Sequence, residues 1–205
     1  MSNFSDAIFP VQDKGGALSF PVGYQIEEAA QTFVLGTPVQ VKAADGGLQA
    51  WDGATVTQGI AGITMENANN LGTTGSGAPV GFSPILGPGS VVGNYSANAN
   101  QPSAVITPPM TPMSDGRLRF WLAGLGTVFI AKLGTSTSNT PVATAYSQVG
   151  TLAGLTKDPG NSYWYVDTNK NNAVNIVALS PLETVGTVGG HVFFTFINTI
   201  IQVFD

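Results

Sequence analysis

The sequence predicts an all-β protein, organised as two small antiparallel β-barrel or sandwich domains behind an extended N-terminal arm. Three observations lead there. In the clearest segments apolar and polar residues alternate with a period of two, as with Val39, Val41 and Ala43 against Gln40 and Lys42. The 26 glycines and 13 prolines fall between runs of Val, Thr, Ile and Phe, so turn signals return about every ten residues. Helical spacing is confined to 25–31, Gln-Ile-Glu-Glu-Ala-Ala-Gln, enough for a turn or two.

Residues 1–30 carry Phe4, Ile8, Phe9, Phe20 and Tyr24 at irregular intervals among Gly, Ser and Pro. Such side chains either pack on their own domain or, as an arm, anchor in a neighbouring subunit. Thr37-Pro-Val-Gln-Val-Lys-Ala-Ala-Asp-Gly-Gly-Leu-Gln-Ala-Trp51 reads as a hairpin turning at 45–47. A turn at 52–54 leads to Gly59-Ile-Ala-Gly-Ile-Thr64, a short apolar strand whose glycines admit a close backbone. Residues 66–115 are rich in Asn, Gly and Pro and resist assignment to central strands, because proline donates no ladder hydrogen bond. Short strand candidates lie at 79–82 and 90–95. The stretch 107–112, with Pro108 and Pro109, reads as a stiff polyproline-like connector and sets the expected division into 1–30, 31–110 and 111–205.

Beyond it, 117–122 and 126–131 alternate as strands, followed by a Thr/Ser/Asn loop at 135–140. The turn at 155–160 feeds a strand over 162–167, and 168–172 turns into 173–179, a predicted three-strand meander. The strand 191–197 places Val192, Phe194 and Phe196 on one face and His191, Phe193 and Thr195 on the other.

Charged residues make up 9% of the chain, against roughly a quarter in an ordinary soluble domain. A neutral surface is cheap to desolvate, which suits contact with copies of the chain or with a larger partner. The net charge of −5 argues against nucleic-acid binding, which needs Lys and Arg on phosphates. No run of 18 apolar residues suggests a membrane span, and 1–30 carries no secretory signal pattern. The absence of cysteine excludes disulfides and thiolate chemistry.

The chemistry-bearing residues point away from an enzyme. The single histidine, His191, sits in an alternating strand and reads as a structural or surface imidazole rather than a general base. Gly75-Ser76-Gly77 lacks the strand and helix of a nucleophile elbow. Asp45, Asp52, Asp115 and Asp158 each precede Gly or Pro-Gly, where aspartate serves a turn, and this explains them better than paired-carboxylate catalysis. Asp158, Asn161, Asp167 and Asn169 match no calcium-loop spacing. Trp164 faces away from Tyr163 and Tyr165 on a strand, which favours core packing over a sugar platform. No metal, cofactor or catalytic residue is expected.

From Thr37 through Asp52-Gly53-Ala54 to Gly59-Ile-Ala-Gly-Ile63, the chain resembles head decoration (cement) proteins of tailed bacteriophages. Gly154-Leu-Thr-Lys-Asp158, Tyr163-Trp-Tyr-Val-Asp167 and Gly190-His-Val-Phe-Phe-Thr-Phe-Ile197 look like C-terminal regions of similar phage structural proteins. The resemblance implies a virion protein, made in the host cytoplasm, that binds the major capsid protein on the capsid surface, often as a homotrimer. It implies no catalytic residue. Phe4, Ile8, Phe9, Phe20, Pro108 and Pro109 are the expected interface residues. The alternatives are a carbohydrate- or receptor-binding module of a phage tail fibre or spike, stacking sugars on Trp51, Trp121 or Trp164, and a tail-tube-like assembly subunit.

Overall fold

The computed structural model describes residues 6–13, 20–26, 31–42, 47–53, 59–68, 117–124 and 126–202. Its strands are β1 (Phe9–Asp13), β2 (Val22–Ile26), β3 (Pro38–Val41), β4 (Leu48–Ala50), β5 (Gly62–Thr64), β6 (Arg117–Leu122), β7 (Thr127–Thr135), β8 (Thr140–Pro141), β9 (Leu152–Lys157), β10 (Trp164–Asp167), β11 (Val174–Leu179) and β12 (His191–Phe196). The described residues contain no α-helix, only short 3-10 turns such as Tyr146–Gln148 and Asn198–Ile200. The all-β class read from the sequence is the fold observed.

β7, β10, β9, β11 and β12 follow one another, and β12 pairs back onto β7, closing a five-stranded barrel. β1 and β8 add to β7 outside this ring. The barrel interior is filled by alternate residues: Phe129, Ala131 and Leu133 from β7 meet Val192, Phe194 and Phe196 from β12. Phe129, Phe194 and Phe196 form a triangle with ring centroids 5.3–5.8 Å apart, two of the three contacts edge-to-face. The face split read for 191–197 is therefore observed, with Val192, Phe194 and Phe196 essentially inaccessible.

The second sheet runs β2-β6-β5-β3-β4. The expected hairpin is present: β3 and β4 pair antiparallel from Val39–Ala50 to Val41–Leu48. Gly62 justifies the reading of its glycine, because a Cβ there would collide with the carbonyl oxygen of Trp121 on β6. Val39, Leu48, Leu118 and Phe120 build a core on one side of this sheet, whereas Trp51, Ile60 and Ile63 join the barrel core on the other. The barrel core thus extends onto one face of the second sheet, and the other face carries a core of its own.

Three expectations change. Within the described residues the supposed arm is strand: β1 pairs with β7 and β2 with β6 of the same chain. β6 follows the 107–112 connector, yet it belongs to the sheet of residues 22–64 and lies between β2 and β5. The three strands β9, β10 and β11 are not a meander, because β9 lies between the other two and β10 pairs parallel with β7. The candidates at 79–82, 90–95 and 107–112, including Pro108 and Pro109, lie outside the described residues.

Truncating Phe194 to Ala removes the ring shared by both other members of the barrel triangle. Urea unfolding is expected to show a loss of about 3–5 kcal/mol. A loss under 1 kcal/mol would mean that the barrel interior collapses around the gap.

Candidate contact face

Between β11 and β12 the chain runs through Ser180-Pro-Leu-Glu-Thr-Val-Gly-Thr-Val-Gly-Gly190, where proline and glycine stop the alternation. The loop is tightly fastened. Ser180 N–H donates to His191 C=O at 3.0 Å, Gly186 N–H to Thr144 C=O at 2.8 Å, and Gly189 N–H to Val142 C=O at 2.9 Å. Gly186 (φ 97°) and Gly189 (φ 68°) supply the left-handed backbone these bonds require. A loop pinned this way cannot fold its apolar side chains inward, and Leu182 is 90% exposed.

Beside it, the Tyr146–Gln148 turn is braced by one side chain: Gln148 Oε1 accepts the Ala145 N–H at 2.7 Å, and Nε2 donates to Ala143 C=O at 3.1 Å. Tyr146 is left 75% exposed. Tyr146, Val149, Leu179, Pro181 and Val185 line a cavity of about 500 Å³ between turn and loop. A second cavity, of about 590 Å³, opens on the other side of the loop against Phe9, Leu35, Ile130, Leu182 and Tyr163. Ser180 and Glu183 line both.

The floor of the larger cavity is polar. Glu183 Oε1 lies 2.7 Å from His191 Nδ1, and Asp6 Oδ2 lies 3.2 Å from His191 Nε2 and 3.1 Å from Lys132 Nζ. Burial pushes the Glu183 carboxyl up, but the backbone and ring N–H groups of His191, with the charges of His191 and Lys132, outweigh it and hold the group below the usual carboxylate range. His191 is thus tied to neighbours, as a structural imidazole would be.

The other titratable groups hold the fold. Asp158 Oδ1 accepts the Gly160 N–H at 2.8 Å, the turn role read from its position. Asp167 is fully buried and accepts from Ser136 N–H (3.0 Å), Asn169 N–H (2.9 Å) and the Thr156 hydroxyl (2.6 Å). Burial pushes its carboxyl up; these hydrogen bonds outweigh that and hold it below the usual range. The Tyr165 hydroxyl donates to Asn139 Oδ1 at 3.1 Å, and burial, then the charges of Asp167 and Asp158, push its pKa up to about 12. Arg119 lies 2.9 Å from Glu66, whose hydrogen bond and charge raise the guanidinium pKa further. Among the described residues no group of three or more His, Asp or Glu is arranged to hold a metal ion.

The expected interface residues disperse. Ile8 is completely buried in the chain's own core, so it cannot anchor in a neighbour. Phe9 is 39% exposed and packs edge-on against Trp121 at 6.1 Å. Phe20 is half-buried, and Phe4 lies outside the described residues. Trp51 and Trp164 are buried against each other at 5.7 Å between the two sheets, which withdraws both as sugar platforms. Leu182, Val185 and Tyr146 were not singled out in the sequence. Their signal is an apolar residue stranded among Pro, Thr and Gly, away from any alternating strand. Compared with protein-family models, curated proteins and solved structures, the chain matches none. No helix among the described residues is long and apolar enough to cross a membrane.

Replacing Asp167 by Asn leaves Ser136 and Asn169 without a charged acceptor and is expected to cost about 2–3 kcal/mol at pH 7. Because the folded carboxyl titrates below its ordinary value near 3.9, its contribution is complete above about pH 4 and is lost as pH falls through the depressed value. Urea titrations at successive pH values should show the native protein losing stability below about pH 4 and Asp167→Asn responding less steeply. Parallel curves would show that Asp167 is not responsible.

Proposed function

We propose that the protein is a structural virion subunit that binds the outer surface of a phage capsid and stabilises it by bridging capsomers. The observation that carries this reading is the pinned loop with its adjoining turn: Leu182, Val185, Tyr146 and Val149 stand exposed on braced backbone in a chain with 9% charged residues. Apolar groups held out on rigid backbone lose little entropy when covered, and a charge-poor surround adds little desolvation cost. The resemblance of 37–63 and of the C-terminal segments to head decoration proteins supplies the partner, the major capsid protein. Retention comes from multiplicity. A homotrimer, or another homo-oligomer, presents several such faces to a lattice, and linked contacts of modest strength hold where one would not.

The test is occupancy on heads of the virus that carries this chain. Purified protein added to undecorated heads should co-sediment at a fixed copy number, and cryo-EM should place it on the outer surface. The double variant Leu182→Asp, Tyr146→Asp should fold normally by circular dichroism, since both side chains are exposed, and bind at least about thirtyfold more weakly. Wild-type occupancy by that variant sinks the proposed face. Failure of the native protein to bind heads sinks the capsid role.

A further inference from the structure

We propose that the outer edge of β2 is a self-pairing surface, on which a second copy of this chain adds its own β2 antiparallel about a two-fold axis at Tyr24. The proposal does not rest on the capsid reading. It begins with the direction of the backbone groups. Leu122 N–H donates to Pro21 C=O at 3.0 Å, which sets the phase of the β2–β6 ladder: residues 21, 23 and 25 face β6, whereas Val22, Tyr24 and Ile26 turn their N–H and C=O groups the other way. The far side of β6 agrees with this phase, since Arg119 C=O accepts the Met65 N–H and Ala123 N–H donates to Ala61 C=O. β2 is the last strand of its sheet, and no strand among the described residues pairs with that outer edge.

The other strand edges among the described residues are blunted. β4 is three residues long, and its Ala50 N–H is taken by Gln31 Oε1 at 3.2 Å. β3 runs on past its pairing with β5, and there Gln202 accepts the Val41 N–H and donates to the Val41 C=O, both at 2.8 Å, so one side-chain amide stands in for a strand. β1 contains Pro10 and shifts register between Pro10 and Gln12, and β8 is a two-residue strand that includes Pro141. Short length, proline, bulges and charge are the devices that keep sheet edges from pairing with one another. Val22-Gly-Tyr-Gln-Ile26 has none of them: it is five residues long, uncharged and free of proline, and its register with β6 is unbroken.

The strand is also complementary to itself, which is why the occupant is a second copy. With the two-fold axis at Tyr24, Val22 of one copy lies opposite Ile26 of the other and Tyr24 opposite Tyr24, so all three outward residues of both strands exchange hydrogen bonds. Any other antiparallel register of the two strands leaves at least one of the three unpaired. Tyr24 is 51% exposed, and two tyrosines set directly opposite form a favourable cross-strand pair. The contact joins two five-stranded sheets into one. Being isologous, it closes at two copies, and so builds a dimer and not the homotrimer that the resemblance implies.

Sedimentation velocity on the intact chain, at concentrations up to about 500 μM as suits a small interface, should show a reversible dimer. Tyr24→Lys and Tyr24→Glu each set like charges face to face and should weaken association at least about tenfold; mixed in equal amounts they should regain most of it, because Lys then meets Glu. Tyr24→Pro, which removes only an outward N–H, should weaken association as much while keeping the native circular dichroism. The Leu182→Asp, Tyr146→Asp double variant should dimerise as the native chain does, which separates this result from the fate of the capsid face. The proposal is overturned by a native chain that stays monomeric over the whole range, by open-ended growth, by a dimer that the Tyr24 variants leave intact, or by Lys and Glu variants that do not restore one another. Should the variants fail to fold, the native protein decides: exchange protection at the Val22 and Tyr24 amides should fall at least about threefold on dilution through the dimer range, and protection independent of concentration overturns the proposal.

Discussion

Everything in this molecule hangs on β7, because it is paired along both edges. Phe129 and Ile130 pair with β1 on one edge and β12 on the other, and Gly134 pairs with both Asp167 and Pro141. Nine residues therefore fix the places of four other strands. Their register is enforced by burial: Phe129, Ala131 and Leu133 point inward, and a slip of one residue would drive Lys132 into the barrel. The same register sets Lys132 beside His191 on the outer surface, so the packing of the interior determines the chemistry of the exterior.

A chain with so few charges spends them carefully. Asp158 and Asp167 are both buried, and each carboxylate is consumed by backbone N–H and side-chain donors in the turns that join β9 to β10 and close the end of β7. Burying a carboxylate is costly unless such donors are present, and here they also order the loops. The remaining surface relies on Thr, Ser and Asn, which hydrate without repelling a neighbour. That leaves the apolar groups of the 180–188 loop unopposed by like charge, a physical state consistent with lasting contact.

What could be read from the sequence was local. The β3–β4 hairpin, the close approach at Gly62 and the two faces of β12 follow from turn chemistry and alternation over a few residues, and each is present. What escaped was non-local. Phe9-Pro-Val-Gln-Asp13 is too short and too irregular to declare itself, and it becomes a strand because β7 offers an edge. The parallel pairing of β10 with β7 depends on a connection across the barrel, which no window of sequence contains. The contact face escaped for a related reason. Alternation locates side chains that go inside, whereas Leu182 stands out because its loop is held by hydrogen bonds to Thr144 and Val142 in another segment, and Tyr146 because the Gln148 side chain braces its own turn at Ala145.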